Sequence, residues 1–329
     1  MKFGIIKERK SPPDRRVVFS PDALARLKQL YQGVTVKVES SDVRVFTDED
    51  YRNLGIEVAD DISDCTIFFG VKEVPTDYLI ADKSYFFFSH TIKKQPHNRL
   101  LLRALLDKNI DFYDHETLVD AHHHRLIGFG KYAGIAGTYN AIRAFGIKFE
   151  LFKLPKAATL SGKEALITHL KRIVLPPLKF VITGTGKVGS GVKEVLDAIK
   201  ITEVSVENYL TKNYTQSVYA QVDVLEYNKR KDGRILDFND FFDHPQEYVS
   251  DFERFTKVSD IYITAHFHAN EAPKILTREM LQVSDCKIKV VGDISCDVDG
   301  SIACTLRSST IDEPFYGYLP SENKEVDIY

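Results

Sequence analysis

The chain has 329 residues, too many for one ordinary α/β core and enough for two domains of common size with a cleft between them. Hydrophobic residues make up 43% and charged residues 28%, the balance of a globular protein with well-buried cores. A formal charge of −3 sets up no global field that would favour nucleic acid or an anionic membrane, so a small-molecule partner is expected, with no nucleic acid and no membrane.

KFGIIK (2–7) reads as a strand, and SPDALARLKQLYQ (20–32) as a helix with Ser20 as N-cap and Pro21 at its first position. VTVKVES (34–40) alternates like a strand, TDEDYRNLG (47–55) is a short helix closed by Gly55, and CTIFFGV (65–71) is a fully apolar strand. SYFFFS (84–89) is another strand, followed by a helix over 95–108 and a strand IDFYD (110–114). In FGKYAGIAGTYNAIRAFG (129–146) small residues recur at close intervals, which lets a helix backbone approach its neighbour and marks a second domain or the hinge to it.

LKFVITGTGKVGSGVKEVLDAI (178–199) then runs strand, glycine turn and helix without a break. EVSVE (203–207) is expected to be the next strand, and 208–257 an excursion of loops and short helices. SDIYITA (259–265) and KIKVVGDIS (287–295) return to strands. The fold class expected is α/β, two Rossmann-like domains with mostly parallel sheets separated by a cleft. The domains are a substrate or catalytic one over 1–128, a dinucleotide-binding one over 129–318, and a segment 319–329 that starts back toward the first.

The four cysteines have no CxxC spacing and sit mostly in apolar runs, as buried thiols in a reducing compartment would, so no metal site is expected. No signal peptide or run of about 18 apolar residues is encoded, which reads as cytoplasmic. His122, His123 and His124 are adjacent, so on an extended chain they alternate sides, and an exposed loop is expected rather than a metal centre.

Gly184, Gly186 and Gly189 sit between strand and helix, with Thr185, Lys187 and Val188 completing the turn. The first glycine allows a tight turn, the second lets amides reach a pyrophosphate at the positive helix end, and the third permits close helix–strand packing. Glu207, eighteen residues past Gly189, is the acid expected to bond the adenosine ribose, which favours NAD over NADP while leaving NADP open.

In an open α/β sheet ligands gather outside the carboxyl ends of the strands. That rule selects Lys72 and Glu73 after CTIFFGV, His90 after SYFFFS, Glu116 after IDFYD and Arg16 after KFGIIK. A lysine at an apolar strand rim has a lowered pKa and serves as a base, histidine titrates nearest neutrality, and Arg16 offers a bidentate fork for a carboxylate, with Lys93 as a second cation. Taken singly, each has a bland alternative: a snorkelling lysine, a satisfied core imidazole, a solvated arginine.

Arg16 in RRVVFSP, Lys72 in GVKEVP, His90 in FFFSHTIKK, Glu116 in YDHE, RLIGFGKYAGIAG, FVITGTGKVGSG and VVGDISCDVDGSI together resemble the lysine-forming saccharopine dehydrogenases, including the lysine-ketoglutarate reductase part of bifunctional enzymes. Alanine dehydrogenase and transhydrogenase are more distant relatives. The resemblance covers nearly the whole chain. It implies a pyridine-nucleotide oxidoreductase acting on the secondary amine that joins lysine and 2-oxoglutarate. Lys72 and His90 are then the acid/base pair, Arg16, Glu73, Lys93, Glu116 and Arg125 surround the substrate, and Asp293, Ser295 and Asp297 face the nicotinamide.

Family members run on past the nucleotide domain, whereas this sequence stops at SENKEVDIY, so a shortened or truncated chain is expected. The long 208–257 segment resembles the reductase branch, which includes NADP users. An alanine dehydrogenase-like enzyme and a non-catalytic nucleotide-binding homologue are the competing readings. A homo-oligomer is compatible with all of them.

Overall fold

The computed structural model describes residues 1–10, 14–121, 125–268 and 271–328, with the Lys93 side chain also outside the description. The three adjacent histidines 122–124 lie outside the described residues. The chain divides into two compact units, Met1–Gly128 and Phe129–Tyr329.

The first unit comprises β1 (Lys2–Ile5), α1 (Pro21–Leu30), β2 (Thr35–Glu39), α2 (Asp48–Arg52), β3 (Glu57–Ala59), β4 (Ile67–Phe69), β5 (Ser84–Phe87), α3 (Arg99–Asp107) and β6 (Asp111–Asp114). Its six strands run parallel in the order β3-β2-β1-β4-β5-β6. The expected Ser20 cap and Gly55 turn are present, the Ser20 side chain accepting from the Ala23 amide and Gly55 having a φ of +70°, and Thr47 with Asp50 adds a capping box at the start of α2. One face is packed by Phe68, Tyr85, Phe87, Leu101 and Leu105, the other by Ile5, Leu24, Val36, Val38 and Tyr51. Each fully buried aromatic ring contributes roughly 2–3 kcal/mol of transfer free energy. That fixes the register of β5 and therefore where its next residues emerge.

The second unit opens with α4 (Gly130–Lys148), α5 (Lys163–Leu170), β7 (Lys179–Thr183) and α6 (Lys187–Ala198). There follow β8 (Thr202–Glu203), α7 (Val206–Thr211), β9 (Val218–Val222), β10 (Asn228–Arg230), α8 (Phe238–Asp243), β11 (Tyr248–Ser250) and α9 (Glu253–Thr256). It closes with β12 (Ile261–Thr264), α10 (Arg278–Gln282), β13 (Val290–Asp293), β14 (Gly317–Leu319) and β15 (Lys324–Val326). The main sheet is parallel in the order β13-β12-β7-β9-β8. β10 with β11 and β14 with β15 form separate antiparallel pairs.

Three expectations are corrected here. EVSVE is not a strand: β8 stops at Glu203, and Ser205 caps α7 by accepting from the Asn208 amide, so Glu207 lies exposed in the first turn of a helix. The 208–257 segment is more than loops and short helices, because it holds β9, the strand that pairs with β7, with Val218, Tyr219, Ala220 and Val222 buried. Of the cysteines only Cys65 is buried, Cys286 and Cys304 are half-buried and Cys296 is exposed, so the expectation that the cysteines are mostly buried thiols is also corrected. Among the described residues no helix is long and apolar enough to cross a membrane.

Candidate active site

In the first unit β1 has β2 on one side and β4 on the other, so the crevice expected of a parallel sheet opens between the carboxyl ends of β1 and β4. Glu8, just past β1, reaches across it: its two carboxylate oxygens accept from the amides of Val71 and Lys72 at 2.7 and 2.9 Å. Burial pushes the Glu8 carboxyl up, while those two amides pull it back. The start of the turn carrying Lys72 is thereby tied to β1.

The aromatic run of β5 sets the next residue. Phe86 stacks between Phe69 and Tyr113 at 4.7 and 4.5 Å, and the buried Ser89 hydroxyl donates to Asp114, so the chain is anchored up to the residue before His90. His90 itself adopts a left-handed φ of 57°, and its carbonyl accepts from Asn98 Nδ2 at 3.1 Å. A left-handed non-glycine residue costs roughly 1–2 kcal/mol, which the anchored neighbours offset.

The result is a continuous polar chain. Lys72 Nζ lies 3.3 Å from His90 Nε2, His90 Nδ1 lies 3.0 Å from Glu116 Oε2, and Glu116 Oε1 lies 3.6 Å from Arg125 Nη2. With Glu116 taking the Nδ1 hydrogen, the Nε2 lone pair faces the lysine. Burial lowers the Lys72 pKa, and the charges of Arg16 and Lys10 lower it further against Glu73 and Asp14. The group can thus give up its proton more readily than a surface lysine, and the imidazole beside it can pass one on.

Around this chain, Glu73 Oε1 accepts from Lys10 Nζ at 2.7 Å, whereas its buried Oε2 has no hydrogen-bond partner. Burial raises the Glu73 carboxyl, but the Lys10 bond, a backbone amide and nearby positive charge together leave it lowered. Arg16 makes a bidentate pair with Asp14, Nε to Oδ1 at 3.0 Å and Nη2 to Oδ2 at 2.6 Å. That pair raises the Arg16 pKa and lowers that of Asp14. The fork expected for a substrate carboxylate is therefore pre-ordered by an acid of the same loop. The Lys93 side chain lies outside the described residues.

In the second unit the glycine turn follows β7. Gly184 has a φ of +99°, and a Cβ there would meet the Ala265 carbonyl oxygen at 2.5 Å. A Cβ on Gly189 would lie 2.2 Å from the Gly184 oxygen, whereas one on Gly186 would meet nothing within 4 Å. Two glycines are thus needed for the fold of the turn, and the middle one borders open space at the N-terminus of α6, where an exposed Thr185 and Lys187 flank it and Val188 packs inward. Open space beside amides at a helix N-terminus is what binding of a pyrophosphate requires.

Asp293 accepts from Thr264 Oγ1 at 2.6 Å and from the Ser295 hydroxyl, and its other oxygen accepts from Thr305. Its carboxylate is committed to shaping the turn after β13, and it borders two hollows of about 450 and 550 Å³ beside that strand. Asp297 is exposed.

A family model described as alanine dehydrogenase/PNT, N-terminal domain, matches residues 4–136. The alpha-aminoadipic semialdehyde synthase of Arabidopsis thaliana is 28% identical over 368 residues, covering 98% of this chain and 34% of the plant protein. The saccharopine dehydrogenase (NAD(+), L-lysine-forming) of Neurospora crassa is 25% identical, covering 86% of this chain and 71% of its own length. This chain is homologous to the saccharopine dehydrogenases. The homologue spans about a third of the length of the aminoadipic semialdehyde synthases it matches. Among solved structures, an L-alanine dehydrogenase superposes with a TM-score of 0.61 at 19% identity, covering 96% of the homologue and 80% of that chain. A transhydrogenase from Sinorhizobium meliloti gives 0.52 at 17% identity, covering 85% and 74%. These two share its fold.

Sequence reasoning missed several residues of the saccharopine dehydrogenase homologue. Glu8, Lys10 and Asp14 follow β1 as Arg16 does, and the strand-end rule that selected Arg16 could have selected them. In the second unit Asp223 directly follows β9, the strand beside β7, while Glu207 stands on α7, which follows the edge strand β8 in the chain. Asp223 Oδ1 accepts from the Leu225 amide and Glu226 Oε2 from the Asp223 amide, both at 2.8 Å, so two carboxylates gather at that strand end.

Proposed function

We propose that the protein is a nicotinamide-dependent oxidoreductase acting on the secondary amine of saccharopine, interconverting it with L-lysine and 2-oxoglutarate. The observation that carries this reading is the Lys72–His90–Glu116 chain at the strand ends, with contacts of 3.3 and 3.0 Å, in a protein that also holds a glycine turn with open space at Gly186.

Bound at that turn, a nicotinamide nucleotide would supply the hydride chemistry. Neutral Lys72 takes the proton of the secondary amine as the adjacent carbon is oxidised and an imine forms. His90 then takes a proton from the attacking water at Nε2, with Glu116 holding the ring by Nδ1, and returns a proton to the departing lysine nitrogen. Atoms balance: saccharopine and water give lysine and 2-oxoglutarate, with two electrons and one proton leaving as hydride and one further proton released. Arg16, held by Asp14, and Arg125, beside Glu116, supply cations for a substrate with several carboxylates.

Asp223 and Glu226 favour NAD, since carboxylates at the end of the strand next to β7 would accept from the ribose hydroxyls and repel a 2′-phosphate. The test follows oxidation of NADH and of NADPH with lysine plus 2-oxoglutarate, and separately with pyruvate plus ammonia. Lysine-dependent turnover that prefers NADH is expected, with the preference reduced in Asp223→Ser. Turnover only with pyruvate and ammonia, or none with either pair, would sink the reading.

A further inference from the structure

The second unit contains a largely buried polar chain, centred on the half-buried His266, that no step above uses. Thr183, the last residue of β7, has its hydroxyl 3.0 Å from the Tyr262 hydroxyl and 2.6 Å from His266 Nδ1, and His266 Nε2 lies 2.9 Å from Ser301 Oγ. Thr183 and Tyr262 are fully buried, and Ser301 nearly so. Three separate stretches of chain, the end of β7, the segment after β12 and the segment after β13, are joined through one imidazole.

The main chain that carries that imidazole stands directly against the glycine turn. A Cβ on Gly184 would lie 2.7 Å from His266 Cα, and the Ala265 amide already donates to the Thr183 carbonyl at 2.8 Å. The main chain of the turn is thus pinned on the far side by the Gly184 amide, which donates to the Val222 carbonyl at 2.8 Å, and on the near side by Ala265. What remains to be fixed is the side-chain end of Thr183, the residue from which the turn departs. Burial pushes the His266 pKa down to about 4, so the ring stays neutral near pH 7 and gives one hydrogen while taking another.

We propose that His266 is a positioning residue for dinucleotide binding, acting through its Nδ1 contact with the Thr183 hydroxyl to hold the β7 end and the Gly184 turn in register. The proposal rests on the nucleotide-binding reading of that turn. The two arms of the ring then have different consequences. The Thr183 arm bears on the turn, whereas the Ser301 arm ties down the segment after β13 and bears on stability.

The two arms can be separated by substitution. Asparagine places a polar atom where Nδ1 stands and so keeps the Thr183 contact, while glutamine reaches to the Nε2 position and keeps the Ser301 contact. In the full chain, NADH dissociation constants from nucleotide fluorescence and thermal midpoints are measured for His266→Asn, His266→Gln, Thr183→Val and Ser301→Ala. Loss of one hydrogen bond that positions a ligand site corresponds to a weakening of roughly five- to ten-fold. That is expected for His266→Gln and Thr183→Val, with His266→Asn and Ser301→Ala within about two-fold of the parent and Ser301→Ala nonetheless lowered in midpoint. Equal weakening in His266→Asn and His266→Gln, or affinities that follow the thermal midpoints across all four variants, would overturn the proposal. A parent chain that binds neither NADH nor NADPH would remove the nucleotide reading itself, and this inference with it.

Discussion

Lys72 is where charge and burial decide the chemistry. Desolvation, then Arg16 and Lys10, lower its pKa, so its neutral form is populated at a lower pH than that of a lysine with the ordinary value of 10.5. Amine oxidation needs that neutral form, so its rate rises with pH through the lowered pKa, and this limb should be absent in Lys72→Met. That variant is expected to lose about 10²- to 10⁴-fold in kcat, measured in the direction of lysine formation. A limb that survives in Lys72→Met would assign the base elsewhere. The glycine turn gives a second residue-scale contrast. Gly184→Ala meets both a φ of +99° and the Ala265 oxygen at 2.5 Å, so its thermal midpoint should fall by several degrees, whereas Gly186→Ala meets nothing within 4 Å and should melt with the parent. Only a nucleotide titration would distinguish Gly186→Ala from the parent, since its added methyl enters the space offered to the pyrophosphate.

At the scale of elements, the seam between α4 and α6 shows what small residues do. A Cβ on Gly191 would lie 2.0 Å from the Lys131 oxygen, and one on Gly134 would lie 2.1 Å from the Val188 oxygen, so the two helices meet backbone to backbone. Gly191→Ala must therefore separate them, and a loss of roughly 3 kcal/mol is expected by chemical denaturation, against a few tenths for alanine at the open Gly33. This seam was legible in the sequence, because glycines at close intervals in a helical stretch have few other uses. The strand ends of the first unit were legible for a similar reason: an apolar run that stops abruptly at a polar residue marks both the buried strand and its carboxyl edge. The order of strands beside β7 was not. The rule that places the ribose acid counts residues to the next strand in the chain, and here the next strand in the chain, β8, is an edge strand two residues long, while β9 beside β7 comes after α7. Nothing local to VYAQV distinguishes a central strand from an edge one, since that depends on what pairs with it. The pairing of Arg16 with Asp14 was equally hidden, because two neighbouring charges in a loop read as solvated until their fork geometry is known.

For the whole chain, the hydrophobic clusters decide which parts can stand alone. Each of the four clusters draws its residues from one unit: two lie on either face of the first sheet, and two lie around β7, β9 and β12 of the second. A segment that keeps both faces of its sheet covered retains the apolar burial that drives folding, and 201 residues exceed the size at which one such core becomes self-sufficient. The partners of the glycine turn, Ala265, Val222 and Gln221, also belong to that segment. Residues 129–329 expressed alone should therefore unfold in a cooperative transition by circular dichroism and bind ADP-ribose, which lacks the reacting ring, within about three-fold of the full chain's affinity. They should show no lysine-dependent turnover, since Lys72, His90 and Glu116 all lie in the first unit. A non-cooperative melt would show that the second unit's clusters do not suffice. A cooperative melt with ADP-ribose binding lost would instead mean that residues 1–128 hold part of the nucleotide site.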